Sequence, residues 1–170
     1  SMKTGISNRG LSAIPILEGA KTIEDNSIQN LKFNVMHRKN VEERLIFKKY
    51  VVEGNRVETY FDREYKTSMK KSPDHYIFLS SLINLQKMIY LLMCDRFKIP
   101  YNKNDEEKIK IWPTSVDVRM NGIVRKKKNI MQDFELTSIS QISDGKYHIS
   151  GKSSAESTIL LKGEALVYII

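Results

Sequence analysis

The sequence predicts an α+β domain in which an antiparallel β-sheet wraps around one long central helix. Three observations predict it: a β-hairpin pattern between Glu43 and Asp62, one apolar helical stretch from Tyr76 to Phe97, and β-type alternation through most of the C-terminal half. A chain of 170 residues suits one domain. It buries roughly two-thirds of the surface its unfolded form exposes, so no metal or disulfide staple is required.

Residues 1–36 read as an N-terminal extension ahead of a domain spanning 37–170. Ser1-Met2 has the look of a cloning remnant. Ile14-Pro15-Ile16-Leu17 suits a short extended piece, and Ile23, Ile28, Leu31 and Val35 recur at roughly helical spacing. From Glu43 the period becomes two. Leu45, Phe47, Lys49 and Val51 share one parity, and after the turn cluster Glu53-Gly54-Asn55-Arg56 the residues Val57, Thr59 and Phe61 alternate with Glu58, Tyr60 and Asp62.

Ser72-Pro73-Asp74 is a helix-start signature: a Ser cap, Pro at the first helical position, and a carboxylate in the positive first turn. The helix then runs to Phe97 and stops before Pro100. At about 100° per residue, Leu79, Leu82, Ile83, Ile89, Tyr90 and Met93 all fall within about 60° of Gln86. The other side carries Ser80, Ser81, Asn84 and Asp95 mixed with Ile77, Met88 and Leu91, so the helix is apolar on most faces and is expected to be buried. After a charged loop (Asn102 to Lys108) come strand patterns at Val116, Val118 and Met120, at Phe134, Leu136 and Ser138, and at Tyr147 and Ile149 beyond the Asp144-Gly145 turn. The last strand is Ala165 to Ile170.

A single helix is enclosed only by a strongly curved sheet. That order of elements is the hotdog arrangement, with the sheet as the bun. A cystatin-like sheet fits less well, because there the helix precedes all strands and is amphipathic.

The 28 basic and 20 acidic residues leave a net charge of +8, which suits nucleic acid, an anionic membrane, or small anionic ligands and acidic carrier proteins. No basic helix, Cys/His zinc pattern or aromatic-glycine RNA signature supports nucleic acid. No apolar run reaches the roughly 18 residues that span a bilayer. One cysteine, Cys94, seven methionines and the lack of a secretory leader point to a reducing, cytoplasmic setting.

Gln86 is the most informative residue, because an unpaired amide in the middle of an apolar stripe costs about 1–3 kcal/mol. Either it bonds a carbonyl of the enclosing sheet, or it faces a thioester carbonyl or a water at a dimer seam. His75 is either an exposed helix-start residue or part of a first turn that stabilises an oxyanion. Asp74 beside it has a sufficient reason to exist as a first-turn carboxylate. Asn84 and Ser81 point about 160° and 140° away from Gln86 on an ideal wheel, so the three cannot share one small pocket. The run Arg125-Lys126-Lys127-Lys128 is either a solvated turn that discourages edge aggregation, or a grip for coenzyme A phosphates or an acidic carrier protein.

The segment Asp74-His75-Tyr76, through Leu82-Ile83-Asn84-Leu85-Gln86 to Tyr90, resembles the helix segment of the long-chain fatty acyl-CoA thioesterases of the FcoT type. That family has an aromatic after the helix-start His, an amide matching Gln86 and a Tyr matching Tyr90. The resemblance covers roughly 100 residues. It implies a cofactor-free hotdog acting on acyl-CoA or acyl carrier protein thioesters as a homodimer or larger assembly. The acyl chain would lie on the stripe with Leu79, Ile83 and Tyr90, and Gln86 would position the carbonyl or a water.

The chain departs from the family in having Gln for Asn at 86 and Ile77 at a second functional Asn. The functional Tyr falls near Met69, with Tyr65 the nearest alternative. The resemblance therefore implies either a modest thioesterase or a non-catalytic acyl-thioester binder. A hydroxyacyl dehydratase fits less well, since the matching helical positions near Leu82 offer no carboxylate.

Overall fold

The computed structural model describes residues 19–71, 73–101 and 108–170. Among them the strands are β1 (Ala20–Glu24), β2 (Ile28–Met36), β3 (Lys39–Glu53), β4 (Arg56–Thr67), β5 (Ile109–Met120), β6 (Ile130–Ser143), β7 (Lys146–Ala155) and β8 (Ile159–Ile169). A helix, α1 (Phe78–Arg96), separates β4 from β5. The strands form one antiparallel sheet in the order β1-β3-β4-β6-β7-β8-β5, with β2 also paired to β3. A large antiparallel sheet with a helix against it fits the hotdog fold. The extended piece expected at Ile14-Pro15-Ile16-Leu17, and the charged loop from Asn102 as far as residue 107, lie outside the described residues.

The turns expected from the sequence are in place. Gly54 opens the two-residue β3–β4 connection at φ 59, a conformation glycine adopts without a Cβ clash. Asp144-Gly145 joins β6 to β7. Three local features differ from expectation.

The spacing around Ile28, Leu31 and Val35 belongs to a strand, not a helix. Leu31 and Phe33 are half-buried while Asn30, Lys32 and Asn34 are exposed, and the whole segment pairs with β3. Ladder bonds to β3 override a weak helical period. The β3 alternation also breaks at a bulge between Phe47 and Lys49. Leu45 and Phe47 face the core before it, and Tyr50 and Val52 face the core after it, in place of Lys49 and Val51.

The helix begins at Phe78, with Ile77 as its extended cap residue and no acidic group in its first turn. Pro73, Asp74, His75 and Tyr76 therefore precede it, and Ser72 lies outside the described residues. Asp74 is drawn off by Arg63 and Lys127. Tyr76 N–H donates to the Val124 carbonyl at 2.8 Å, which holds the approach segment extended against the sheet.

The helix rests on the sheet through its polar side. Ser80, Ser81 and Asn84 are fully buried in its first half, and the residue that joins this side to the sheet is Gln132 of β6. Gln132 Nε2 donates to the Ser81 carbonyl at 3.0 Å and to Ser153 Oγ at 3.1 Å. Its Oε1 accepts from Tyr76 Oη at 2.9 Å and Asn84 Nδ2 at 3.2 Å. Tyr50 Oη extends the network to Asn84 Oδ1 at 3.4 Å. From Met88 to Cys94 the helix is buried on all sides among Phe61, Ile130, Leu136, Ile139 and Val167.

Replacing Gln132 with Leu removes both the donors and the acceptor of this junction, and leaves Asn84 and the Tyr76 hydroxyl buried without it. The expected loss is about 2–4 kcal/mol. It should appear in urea unfolding as a lower midpoint at unchanged slope.

Candidate functional site

With Ser81 and Asn84 turned inward, the apolar stripe faces away from the sheet's centre. Leu82, Leu85 and Ile89 lie to one side of Gln86 and form one wall of a groove of about 250 Å³. The facing wall is Ile111, Pro113 and Val116 of β5, and Phe134, Ile149, Leu161 and Ala165 lie deeper. Lys162 and Glu164 also border it, but they alternate with the buried Leu161 and Ala165 and so point to the other sheet face. Gln86 is the one polar side chain the helix presents to this groove, and it is exposed. The bond to a sheet carbonyl, one of the two alternatives for Gln86, is not made among the described residues.

Two glycines, for which the sequence analysis proposes no role, shape the groove. Gly151 of β7 and Gly163 of β8 are register partners and both border it. A Cβ on Gly151 would collide with the Phe134 ring, and one on Gly163 with the Ser115 carbonyl oxygen. That carbonyl belongs to the irregular step between Pro113 and Ser115 in β5. The signal available in the sequence was a glycine in a strand interior, which often marks close approach of backbone or ligand.

On the other side of Gln86 lies a second cavity of about 320 Å³, bordered by Ile83, Lys87, Tyr90, Tyr101 and Gln29 of β2. Gln86 and Ile111 border both cavities. Lys87 Nζ lies 2.7 Å from Asp25 Oδ2 and about 5 Å from the Phe47 and Tyr50 rings. Burial acts to raise the Asp25 pKa, but Lys87 and the Ser27 hydrogen bonds outweigh it and bring the carboxyl from 3.8 down to about 2. This pair ties the β1–β2 junction to the helix one residue from Gln86.

Tyr65 and His75 are brought together, with ring centroids 6.5 Å apart, but they border neither cavity of Gln86. His75 Nδ1 donates to the Pro73 carbonyl at 2.9 Å and lies outside the helical first turn. Beneath the two rings, the fully buried Arg63 side chain donates Nε to Glu43 Oε2 at 2.8 Å, bonds Asp74, and donates Nη1 to the Lys126 carbonyl at 3.3 Å. Burial raises the Glu43 pKa against the pull of Arg63. Leu79 is exposed and borders neither cavity, whereas Ile83 and Tyr90 wall the second.

The basic run is a strap along β4. Arg63 N–H donates to the Lys127 carbonyl at 2.9 Å, and Lys126, Lys127 and Lys128 reach Glu156, Asp74 and Asp62. Arg125 is exposed. A larger hollow, about 940 Å³, lies against Arg56, Asp133, Glu135 and Lys152. Arg56 pairs with Asp133 and Lys152 with Glu135 across it, and Asp117, Arg119 and Lys162 line it as well. Among the described residues no His/Cys/Asp/Glu group is arranged to hold a metal, and no helix is long and apolar enough to cross a membrane.

No family model and no curated protein matches the chain. Among solved structures it is similar to the HP0420-homologue from Helicobacter felis. A cysteine-to-alanine variant of that protein is 9% identical, with a TM-score of 0.36 over 69% of this chain and 82% of that chain. A second structure of the homologue is 12% identical, with a TM-score of 0.31 over 68% and 72% of the two chains. A likeness at this level bears on neither site nor activity.

The Asp25 shift has a pH signature. A carboxyl held below its unfolded value contributes stability that is present above about pH 4 and lost as the pH falls toward 2. Asp25→Asn should therefore cost about 2–3 kcal/mol at pH 7 and less near pH 2. Parallel denaturation curves at the two pH values check this. An equal loss at both would refute it.

Proposed function

We propose that the chain is a hotdog protein that binds acyl thioesters of coenzyme A or acyl carrier protein along the groove beside Gln86, and hydrolyses them. The observation that carries this reading is the groove itself: apolar walls, a floor where Gly151 and Gly163 let the Phe134 ring and the Ser115 carbonyl pack close, and one amide at the lip. A methylene takes up about the space of a water, about 30 Å³, so a groove of about 250 Å³ suits on the order of eight methylenes. In hydrolysis a water adds to the thioester carbonyl carbon, the C–S bond breaks, one of the water's protons goes to the departing sulfur to give a thiol, and the other is released to solvent to leave a carboxylate. In this reading Gln86 Nε2, at the lip of the groove, donates to the carbonyl oxygen or orients the water.

A second reading, a non-catalytic binder, is favoured by the separation of His75 and Tyr65 from Gln86. Hydrolysis across acyl-CoAs of increasing chain length, wild type beside Gln86→Ala, decides between them. The expected result is turnover that peaks at medium chains and falls roughly 10²-fold in the variant. Chain-length-dependent thermal stabilisation without turnover would leave the binder. Neither turnover nor stabilisation would remove both.

The same reading places a second copy on β5. Among the described residues this strand pairs with β8 alone, and its other edge is open. Val116, Val118 and Met120 are each 40–43% exposed, an unprotected apolar edge of the kind that invites strand pairing. An antiparallel pairing centred on Val118 sets Asp117 of each copy against Arg119 of the other. We expect a dimer in light scattering and a monomer for Val118→Lys. A wild-type monomer at micromolar concentration would overturn the seam.

A further inference from the structure

We propose that the cavity between β2 and the helix, bordered by Gln29, Gln86, Lys87, Tyr90 and Tyr101, receives the neutral, amide-bearing arm that links an acyl thioester to its carrier. This rests on the acyl-thioester reading above and extends it from the acyl chain to the arm.

The cavity and the acyl groove are neighbours that share Gln86 and Ile111 as walls. A ligand whose thioester sits at Gln86 therefore has its acyl chain on the Leu82–Ile89 side and the rest of the molecule on the Ile83–Tyr90 side. The two sides differ in chemistry. The groove is walled mainly by aliphatic side chains, Phe134 and glycine, while the cavity is bordered by two amides and two tyrosines. Among the described residues neither the Gln29 nor the Gln86 amide has a hydrogen-bond partner, so both are available to a ligand.

Charge selects among polar ligands. Lys87 is the one cation among the described residues of the wall, and Asp25 lies 2.7 Å from it with its side chain fully buried. Among the described residues the pair leaves the cavity polar but without a net charge, which suits amide N–H and C=O groups and not phosphate. An amide side chain both donates and accepts, and so matches a secondary amide in either direction. Gln29 comes from the segment that the sequence suggests is an extension, and the Asp25–Lys87 pair holds that segment in place. Residues 20–36 thus supply one wall of the site.

The test measures binding of three ligands with the same eight-carbon acyl chain: the free fatty acid, the thioester of N-acetylcysteamine with one amide, and the thioester of pantetheine with two. Wild type and Gln29→Ala are titrated with each. Wild type should bind more tightly as amides are added. Gln29→Ala should lose about 2- to 10-fold in affinity for the pantetheine thioester, the worth of a hydrogen bond or two, with fatty-acid binding unchanged. The unchanged fatty-acid affinity also shows that the variant is folded. An equal ratio of pantetheine thioester to fatty-acid affinity in the two proteins would overturn the assignment while leaving the groove intact. Failure of all three ligands to bind wild type would overturn the acyl-thioester reading as well.

Discussion

The hydrogen-bond saturation of Gln132 decides which way the helix faces. A primary amide side chain has two donors and room for two acceptances. In Gln132 all four are used, on Ser81, Ser153, Tyr76 and Asn84. A helix laid on a sheet normally turns its apolar stripe inward and leaves serine and asparagine to water. Here the first half of α1 turns its polar side onto the sheet as well, because a buried amide on β6 meets the Asn84 amide and the Ser81 carbonyl that this orientation takes out of water. Leu82, Leu85 and Ile89 then face the β5–β8 side of the same sheet and form the wall of a groove. The candidate functional surface is thus a consequence of a polar core.

That orientation also explains what was and was not legible in the sequence. Strand alternation, the Gly54 and Asp144-Gly145 turns and the existence of one long helix all rest on local chemistry, and the structure has them. Helix orientation does not, because periodicity shows that a stripe exists without showing what it meets. Gln86 is legible as the odd residue on that stripe, but the setting that the sequence suggests is core, and the structure makes it the lip of a groove. The helix start differs for a related reason. Ser72-Pro73-Asp74 has the composition of a cap, yet Asp74 has a stronger claim on it from Arg63, which would otherwise lie buried with Glu43 alone for compensation. Partners distant in sequence settled each case.

The electrostatics obey the same logic of local neutrality. The chain carries a surplus of +8, and several of its cations are matched: Lys87 by Asp25, Arg63 by Glu43 and Asp74, and the strap lysines by Glu156, Asp74 and Asp62, whereas Lys162 at the border of the groove has no ion-pair partner among the described residues. The excess charge adds a long-range field to these local pairs. Buried pairs such as Arg63–Glu43 add little net stability over well-packed apolar residues. They do discriminate strongly between registers, because any slip leaves a charge uncompensated. In this chain they fix the approach segment, the strap and the β1–β2 junction around a helix whose cap residue, Ile77, makes no side-chain cap bond.

Gly151 and Gly163 show how closely groove and sheet edge are linked. The β5 irregularity between Pro113 and Ser115 brings a carbonyl over Gly163, into space that any Cβ would occupy. Without that approach β5 would run regularly along β8, and Pro113 and Val116 would sit differently against the helix. The two backbone positions without side chains thus serve two ends at once: Gly151 lets the Phe134 ring pack against the floor, and Gly163 lets the edge strand close one wall.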